Sequence, residues 1–510
     1  MVLSSTQSYW NLPEKTEDDE PVFCPHCLHR FVKKEAKYIA QHPDLGTDNK
    51  LGNSGNSRVD KKSVRPKGIS GNLVDRGGFR IFDRACPNCH LQIPVAILDK
   101  RPLFISLAGA PASGKTYLTT VMLHELRRIL PKQFGLSVEY CDSLLIKSFT
   151  DLEEVLFNSE PSEPAYLPRT SARGTGNSIV KLEGIDVELS KPFLFSIQPT
   201  SDCVEKGGTL ENLRQNIAIY DTAGERFRPL ADRNSTLRTT EHLGVSDAIL
   251  FVFDPLQDAG ILKLLGNHPD PQIRLFRQEK QFERQDMILQ SVIASARRFR
   301  NQPTGERLRI PLLVCVQKYD IWKGLLPNWA QTTGDSWRYF DSQGTSALDL
   351  TRVNQTSLHI RKFLEGFSPE FVAAAESSFT AVRYFPVSAL GTSPSLDPSG
   401  MLAIQPGNLK PIKVVDPLLW LLRDFGLIRV VQQPKGWRPL VRKMLRLLSR
   451  KAQTASPAGE KAVILSKNRD GFVIRLPGSK QKVGLDWEFS GLTIRDPWNG
   501  EKVSIPSVKP

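Results

Sequence analysis

The stretch 103–116, LFISLAGAPASGKT, joins an apolar run to a segment that holds two glycines and ends in Gly-Lys-Thr. The apolar run predicts a buried strand. Gly109 and Gly114 can adopt backbone angles closed to other residues, so successive N–H groups of this turn can converge on an anion. The next segment, 115–130, has apolar residues at helical spacing, and the N-terminus of that helix would face the same anion. We therefore expect a phosphate-binding loop that holds a nucleoside triphosphate.

Two side chains at the end of this loop have the chemistry that a bound triphosphate requires. The Lys115 ammonium would neutralise phosphate charge, and the Thr116 hydroxyl would bind a magnesium ion. Ser113 lies in the same turn, and we count it with the phosphate-binding residues. A chance occurrence of the pattern would rarely have a strand before it and a helix after it.

Length and composition predict an intracellular protein with several domains. The chain has 510 residues, of which 40% are apolar, and this is enough to bury a sizeable core. The amino terminus, MVLSSTQSYWNLPEKTEDDE, is polar and acidic, unlike a secretory signal, and no apolar run approaches the length of a membrane span. Four of the seven cysteines form two CxxC pairs, which suits metal binding in a reducing compartment. We expect a cytoplasmic protein without a transmembrane span.

The formal net charge of +14 indicates an acidic partner. The basic residues concentrate in two segments, 58–80 and 435–451. Nucleic acid, an anionic membrane surface and an acidic protein all fit that charge, and an ordinary solvated surface fits it too. Charge alone does not choose among these partners.

Short apolar runs alternate with helical patterns between residues 101 and 428. The runs are LFISLA, PFLFSI, NIAIYD, DAILFVFD, PLLVCV and YFPVSA. Near-continuous apolar runs of this length are typical of strands that are buried on both faces of a parallel sheet. The helical patterns lie at 115–130, 278–300 and 417–428. The predicted fold class is α/β, a mostly parallel sheet with helices on both faces.

The segments outside 101–428 predict three further parts of the chain. Residues 1–100 hold the CxxC pairs, and the polar insert at about 41–75 predicts a disordered, mobile loop. Residues 429–460 combine a basic amphipathic helix, WRPLVRKMLRLLSRK, with a linker. That helix could dock onto a membrane or a protein, or pack on the main domain. Residues 461–510 carry strand-like runs between turn signals and predict a small β domain.

A second phosphate-directed segment follows the run NIAIY. Asp221, at the end of that predicted strand, could hold the shell of the magnesium ion through its carboxylate. The N–H of Gly224, three residues later, could meet the terminal phosphate. The four-residue string DTAG is weak by itself, but its place at a strand end after the phosphate loop favours this interpretation.

Two more strand ends carry groups that could read a base. After PLLVCV, the Asp320 carboxylate could accept hydrogen bonds from the ring N–H and the exocyclic amine of guanine, a pair of donors that adenine lacks. Lys318 would lie along the base and ribose. After YFPV, a backbone N–H of Ser388-Ala389 could donate to the guanine carbonyl oxygen. An ordinary turn at the end of each strand is the alternative.

In chain order, GAPASGKT, DTAGE, QKYD and SAL resemble the characteristic boxes of the Ras-like, translation-factor-related class of P-loop GTPases. The resemblance spans 101–428 and implies a regulatory G domain that binds GTP or GDP with magnesium. If the two CxxC pairs of residues 1–100 form a zinc ribbon, the chain is also similar to the bacterial double-GTPase group of conflict and signalling operons, which implies a protein effector or a companion GTPase as partner. We assign nucleotide and magnesium binding to Gly109, Ser113, Gly114, Lys115, Thr116, Asp221, Gly224, Gln317, Lys318, Asp320, Ser388 and Ala389.

The chain departs from the pattern of this class at two positions. Glu225 stands where small GTPases have the glutamine that orients water, so we expect slow intrinsic GTP hydrolysis that a partner or an internal group completes. Gln317 stands where the class has asparagine or threonine. Thr170 is our candidate for the switch threonine, although Thr175 and an ordinary surface loop remain alternatives. The expected catalytic residues are Lys115, Glu225 and Thr170.

The two CxxC pairs predict a zinc ribbon. Cys24 and Cys27 form one pair, and Cys86 and Cys89 form the other, each with the spacing of a knuckle that offers two thiolates. Four cysteines complete a closed tetrahedral site, so the nearby histidines, namely His26, His29 and His90, are expected to remain outside it. The zinc would then stabilise the fold and have no part in catalysis. A redox pair or unrelated thiols are the alternatives.

Three classes of function follow from these motifs. The first is a guanine-nucleotide-dependent switch in which bound GTP changes how the zinc ribbon or the basic tail meets a partner. The second is a P-loop ATPase, in which Gln317–Asp320 is an ordinary strand-end turn. The third is a zinc-ribbon adaptor for nucleic acid or protein, whose nucleotide domain does not hydrolyse what it binds.

Overall fold

The computed structural model describes most of the chain. The described residues are 21–40, 48–52, 57–67, 72–141, 143–159, 165–166, 177–200, 214–228, 239–279, 283–327, 334–339, 346–431, 460–468, 471–475, 482–486, 493–495 and 502–506. The chain divides into two units, Met1–Val431 and Gln432–Pro510. Thr170, Thr175 and the basic helix expected at 437–451 lie outside the described residues.

The first part of the chain folds around the two CxxC segments. Its strands are β1 (Pro21–Phe23), β2 (Arg30–Val32), β3 (Lys37–Ala40), β4 (Ser57–Val59), β5 (Arg65–Lys67), β6 (Asn72–Val74), β7 (Arg84–Ala85) and β8 (Gln92–Ile93). Strands β1 and β2 pair, β5 and β6 pair, and the other four join in the order β4-β3-β7-β8. The described part of the expected mobile loop at 41–75 therefore contributes three strands, β4, β5 and β6.

The next part of the chain contains the central sheet. Its strands are β9 (Leu103–Gly109), β10 (Leu136–Tyr140), β11 (Asn177–Leu182), β12 (Ile185–Ser190), β13 (Phe193–Pro199), β14 (Gln215–Asp221), β15 (Ala248–Phe253), β16 (Leu308–Val316), β17 (Trp337–Tyr339), β18 (Ser346–Asp349), β19 (Phe379–Pro386), β20 (Ser395–Leu396), β21 (Leu402–Ala403) and β22 (Val430–Val431). Seven of them form one sheet in the order β10-β13-β14-β9-β15-β16-β19. All six apolar runs noted in the sequence lie in this sheet.

The central sheet is mostly parallel, as predicted. Strands β14, β9, β15, β16 and β19 run parallel, whereas β10 and β13 pair antiparallel at one edge. Every residue of β9 and of β15 is buried, which explains why these strands are continuous apolar runs without alternation. Because parallel strands end at the same edge, the segments that follow β9, β14, β16 and β19 come together there.

Helices cover both faces of the sheet, so the predicted α/β class is confirmed. They are α1 (Val95–Asp99), α2 (Lys115–Ile129), α3 (Ser143–Glu153), α4 (Ala259–Leu265), α5 (Pro271–Glu279), α6 (Gln285–Phe299), α7 (Tyr319–Trp322), α8 (Leu350–Glu365), α9 (Pro369–Ser378) and α10 (Asp416–Leu422). Leu250 and Val252 of β15 share a core with α2 and α10, whereas Phe251 and Phe253 share the opposite core with α6 and α9. None of the helices among the described residues is long and apolar enough to cross a membrane.

A third core joins the cysteine-bearing segment to the sheet. It contains Cys24, Cys86 and Cys89 together with Phe104 of β9 and Tyr220 of β14. The antiparallel hairpin β11–β12 contributes its own buried side chains, Val180, Leu182, Val187 and Leu189. The cysteine segment, the hairpin and one face of the sheet are therefore packed as one body of apolar side chains.

In the second unit, the described residues form only short strands and their connections. The strands are β23 (Glu460–Lys461), β24 (Val463–Asn468), β25 (Gly471–Arg475), β26 (Lys482–Asp486), β27 (Thr493–Arg495) and β28 (Lys502–Ser504). They form two three-stranded sheets, β24-β25-β26 and β23-β28-β27. Ile474 and Val503 are among the buried side chains of this unit.

Candidate nucleotide site and metal centre

The loop between β9 and α2 requires glycine at both of its ends. Gly109 has φ +150°, and a Cβ atom on it would lie 2.5 Å from the carbonyl oxygen of Val252. Gly114 has φ +84° and directly precedes α2, which begins at Lys115. The loop is therefore a tight turn that directs the first N–H groups of α2 toward its own concave side.

Lys115 folds back across this loop. Its Nζ donates to the carbonyl oxygens of Gly109, at 3.1 Å, and Ala110, at 2.8 Å. Burial lowers the pKa of Lys115 to about 8, and the Asp221 and Glu225 carboxylates nearby oppose that shift. Because the two acceptors of its hydrogen bonds are uncharged carbonyl oxygens, the Lys115 ammonium can exchange them for an anion that enters the loop and neutralise its charge.

Asp221 and Thr116 meet beside the loop. The Thr116 hydroxyl donates to Asp221 Oδ2 at 2.9 Å. Burial raises the pKa of the Asp221 carboxyl, which the charge of Lys115 and the hydrogen bond from Thr116 oppose. Asp221 Oδ1 and the Ser113 hydroxyl are buried without a hydrogen-bond partner among the described residues. Such orphaned oxygens cost free energy, so they fit a site that a cation and an oxyanion complete.

The turn that follows β14 lies directly against the phosphate loop. A Cβ atom on Gly224 would approach the Pro111 nitrogen to 2.5 Å and the Ala110 carbonyl carbon to 2.6 Å. The glycine therefore allows the close contact between the two backbones. The next residue, Glu225, is exposed, and Arg226 forms an ion pair with Glu188 of β12 at 3.1 Å.

The segment after β16 reaches both the phosphate loop and a buried acid. Gln317 Nε2 lies 3.5 Å from the carbonyl oxygen of Gly114. Lys318 has a left-handed backbone, with φ +57°, and its Nζ lies 2.7 Å from Asp254 Oδ2. The ammonium also lies 4.8 Å from the ring centre of Phe276. The structure thus brings Gln317 to the phosphate loop and orients Lys318 away from solvent.

Asp320 lies beside the segment that follows β19. The Ser388 hydroxyl donates to Asp320 Oδ1 at 2.5 Å, and burial raises the pKa of the Asp320 carboxyl. The N–H of Ser388 already donates to the Ile412 carbonyl oxygen at 3.0 Å. Of the two N–H groups predicted to face a base, that of Ala389 is therefore the better candidate.

Two residues of this site were missed in the sequence. Asp254 ends the apolar run DAILFVFD, so the strand-end rule that found Asp221 and Asp320 could have found it too. Gln257 follows three residues later, and its Nε2 donates to the Pro111 carbonyl oxygen at 2.9 Å. Asp254 and Gln257 together connect the phosphate loop to Lys318.

The four cysteines form a single cluster. The Sγ atoms of Cys24, Cys27, Cys86 and Cys89 all lie within 4.8 Å of one another, with 3.7 Å between Cys24 and Cys89 and 3.6 Å between Cys27 and Cys86. These distances are too long for a disulfide bond and fit four thiolates around one tetrahedral ion. The cluster therefore fits a structural zinc site.

The two CxxC turns have the same local geometry. In each turn a backbone N–H donates to the first cysteine sulfur, from His26 at 3.4 Å and from Asn88 at 3.3 Å. The residue after each second cysteine, Leu28 or His90, has a positive φ, 58° and 61°. The His26 ring lies 3.0 Å from the Gln92 carbonyl oxygen, and the His90 ring lies 2.7 Å from Asp48. Both rings have partners outside the four-thiol cluster.

Comparison with known proteins gives one similar sequence. No protein-family profile matches the chain. It is 24% identical over 363 residues to a protein of Mycolicibacterium smegmatis provisionally named as the ESX-1 scaffolding and assembly protein SaeC. The match covers 67% of this chain and 80% of that protein. Identity at this level does not by itself assign the chain to a family.

Solved structures with partial likeness include two complexes with GTP. The chain is 15% identical to the signal recognition particle receptor SRb-GTP/SRX complex from Chaetomium thermophilum, over 58% of this chain and 94% of that one, with a TM-score of 0.22. It is 13% identical to the GTP-bound Ski7 GTPase-like domain of S. cerevisiae, over 77% of this chain and 60% of that one, with a TM-score of 0.23. TM-scores this low do not show a shared fold.

Proposed function

We propose that the chain is a guanine-nucleotide-dependent switch that binds GTP or GDP with magnesium at the carboxyl edge of the central sheet. The observation that carries the proposal is the meeting of four strand ends: the phosphate loop after β9, Asp221 of β14, Gln317–Asp320 after β16 and Ser388 after β19. Ligands of open α/β sheets bind at this edge. In this proposal 101–428 is the nucleotide domain.

The triphosphate and its ion would use the groups around the phosphate loop. Magnesium would bind the Thr116 hydroxyl and the Asp221 carboxylate, which are already within 2.9 Å of each other. The phosphates would accept hydrogen bonds from the loop N–H groups and from Ser113, while Lys115 would exchange its two carbonyl partners for phosphate oxygens. Gly224 would bring the N–H of its turn to the terminal phosphate.

The base would be read by Asp320 and Ala389. A carboxylate accepts from two donors at once, and guanine presents an N–H and an amine side by side, whereas adenine presents an unprotonated nitrogen at that position. Facing adenine, the buried carboxylate would lose these partners, at a cost of about 1 to 3 kcal/mol. This difference would make the site selective for guanine.

Hydrolysis in this site would be slow. Glu225 is exposed and anionic, so it is poorly suited to orient a water molecule beside the negative terminal phosphate. The chain is thus proposed to act as a GTP hydrolase with a low intrinsic rate, accelerated by a partner. A purified protein that hydrolyses GTP at many turnovers per minute would contradict this part of the proposal.

The partner is proposed to be a protein. The zinc-ribbon module, 1–100, and the basic segment at 435–451 are the parts of the chain proposed to meet it. The scaffolding role in the name of the M. smegmatis relative favours a protein effector or a companion GTPase over nucleic acid. Four free thiols in one cluster suit the reducing cytoplasm. The proposed role of zinc is structural.

Equilibrium binding of labelled GDP and ATP to the full chain with magnesium tests this function. Lys115→Ala removes the cation of the phosphate loop, and Lys132→Ala removes an exposed lysine beyond the end of α2 as the matched control. We expect guanine-selective binding by the wild type and by Lys132→Ala, and its loss in Lys115→Ala. ATP-selective binding would support a P-loop ATPase instead, and absence of binding to either nucleotide would leave a zinc-ribbon adaptor.

A further inference from the structure

The four-cysteine cluster is in buried contact with the strand that ends at Asp221. Tyr220, which directly precedes Asp221, is 1% exposed, and its hydroxyl donates to the Pro25 carbonyl oxygen at 2.7 Å. Pro25 lies inside the first CxxC turn, between Cys24 and Cys27. The carbonyl that accepts this bond is therefore held by the same turn that presents two of the four thiols.

His242 contacts the residues on both sides of Asp221. Its ring stacks on Tyr220, with 4.5 Å between ring centres and 3° between planes. Its Nε2 lies 2.8 Å from the Thr222 hydroxyl, and its Nδ1 lies 2.5 Å from the Ser106 hydroxyl of β9. Burial lowers the pKa of His242 to about 3, so the ring is neutral at physiological pH. Tyr220 and Thr222, the two neighbours of Asp221, are thus both fixed by buried side chains.

The second CxxC turn reaches the same region by another route. The Asn88 side chain donates to Cys27 Sγ at 3.6 Å, and Lys50 Nζ donates to the Asn88 carbonyl oxygen at 2.5 Å. The Lys50 carbonyl oxygen accepts the N–H of Lys181 in the hairpin β11–β12 at 2.9 Å. Glu188 of that hairpin pairs with Arg226, two residues after Gly224. Both ends of the Asp221–Gly224 turn, which would contact the terminal phosphate, are therefore connected to the cysteine cluster.

We propose that Tyr220 and His242 are positioning residues for the Asp221–Gly224 turn and that, through them, binding of zinc at the cysteine cluster and binding of GTP strengthen each other. The proposal rests on the nucleotide function proposed above. With the ion bound, the first CxxC turn holds the Pro25 carbonyl oxygen in the position where it accepts the hydrogen bond of the Tyr220 hydroxyl. Without the ion the turn loses that constraint, and a buried hydroxyl without a partner destabilises the arrangement that GTP binds.

Coupling of this kind is reciprocal. If zinc raises the affinity for GTP by some factor, GTP must raise the affinity for zinc by the same factor. Because the Asp221–Gly224 turn would contact the terminal phosphate, zinc should raise the affinity for GTP more than the affinity for GDP. A purely structural role of zinc would instead change the binding of both nucleotides alike.

The test compares Tyr220→Phe with Tyr384→Phe in the full, metal-loaded chain. Phenylalanine keeps the ring and removes only the hydroxyl, and Tyr384, buried in β19, is a matched control whose hydroxyl lies 3.5 Å from Glu376. We expect Tyr220→Phe to bind a non-hydrolysable GTP analogue about fivefold more weakly or worse, with a smaller change for GDP, and Tyr384→Phe to match the wild type.

Cobalt(II) titration provides the reciprocal measurement, because thiolate-bound cobalt absorbs visibly and reports binding without any activity assay. We expect the wild type to bind cobalt at least about fivefold more tightly with the GTP analogue than without it, and Tyr220→Phe to lose most of that difference. The coupling would be overturned, and the proposed function would stand, if the wild type bound cobalt equally tightly with and without the GTP analogue and Tyr220→Phe bound the analogue as tightly as the wild type. A metal-loaded wild type that binds no guanine nucleotide would overturn the proposed function and the coupling with it.

Discussion

At the scale of single residues, Asp254 explains how loops of the candidate site that are distant in sequence are held together. Its carboxylate is fully buried and lies 2.7 Å from the Lys318 ammonium, and it also accepts the N–H of Leu256 at 3.0 Å. Gln257, in the same short turn, donates to Pro111 of the phosphate loop. A buried charge is tolerated only when it is paired and hydrogen-bonded, as it is here. The segments proposed to read the base and to bind the phosphates are therefore fixed to a common turn.

The guanine assignment makes a prediction about Asp320. In Asp320→Asn an amide replaces the carboxylate, so one acceptor is lost and an NH₂ group faces the donors of guanine. We expect the affinity for GDP to fall by about 5- to 150-fold, the equivalent of roughly 1 to 3 kcal/mol, with little change for ADP. Asp186→Asn, at an exposed position of β12, is the control and should behave as the wild type. Unchanged guanine preference in Asp320→Asn would defeat the assignment.

At the scale of secondary-structure elements, the central strands were predictable because they are buried on both faces. A run such as DAILFVFD needs no partner information to be recognised, since each of its apolar residues is covered. The turn between β9 and α2 was predictable for another reason, because its glycines and its flanking strand and helix are adjacent in sequence. The helical pattern at 278–300 was less accurate, since α5 ends at Glu279 and α6 begins only at Gln285.

Strands that are only partly buried, and therefore lack a continuous apolar run, were not predicted. The edge strand β10 pairs with β13, about 60 residues later. In the hairpin β11–β12 alternate residues are buried, but the sequence does not reveal that this buried face packs on the cysteine segment. The same limit applies to Tyr220 and His242, since their roles depend on Pro25 and Thr222, to which only the folded chain brings them close.

At the scale of the whole first unit, the cysteine segment is part of the main core. Arg101 forms an ion pair with both carboxylate oxygens of Asp247. Its guanidinium lies 5.7 Å from the centre of the Phe23 ring and 5.0 Å from the centre of the Phe104 ring. Phe23 directly precedes Cys24, and Phe104 belongs to β9. The cysteine segment is therefore bound to the sheet by polar, aromatic and apolar contacts together, and it cannot unfold without exposing that face of the sheet.

Metal removal should consequently destabilise the first unit as a whole. Structural zinc contributes about 10 to 16 kcal/mol to the folding of small metal-binding peptides, which is comparable to the total stability of a domain. We expect a chelator, or Cys24→Ser, to lower the midpoint of thermal unfolding by about 5 °C or more, on the scale of about 1 °C for each kcal/mol lost from a unit of this size. Calorimetry and circular dichroism, in the far ultraviolet for the sheet and in the near ultraviolet for the aromatic packing, would measure it.

Cys141→Ser is the control for that experiment, because Cys141 lies outside the cluster, 3.1 Å from the Ser196 hydroxyl, and its loss should leave both the metal and the midpoint nearly unchanged. Cooperative loss of the sheet signal together with the metal would show that the shared core transmits the effect. A separate, low-temperature transition of the cysteine segment, with the sheet melting as before, would show the opposite. The buried area that Phe104 and Tyr220 share with the cysteines argues for the single transition, because unfolding one side would leave those rings exposed to water.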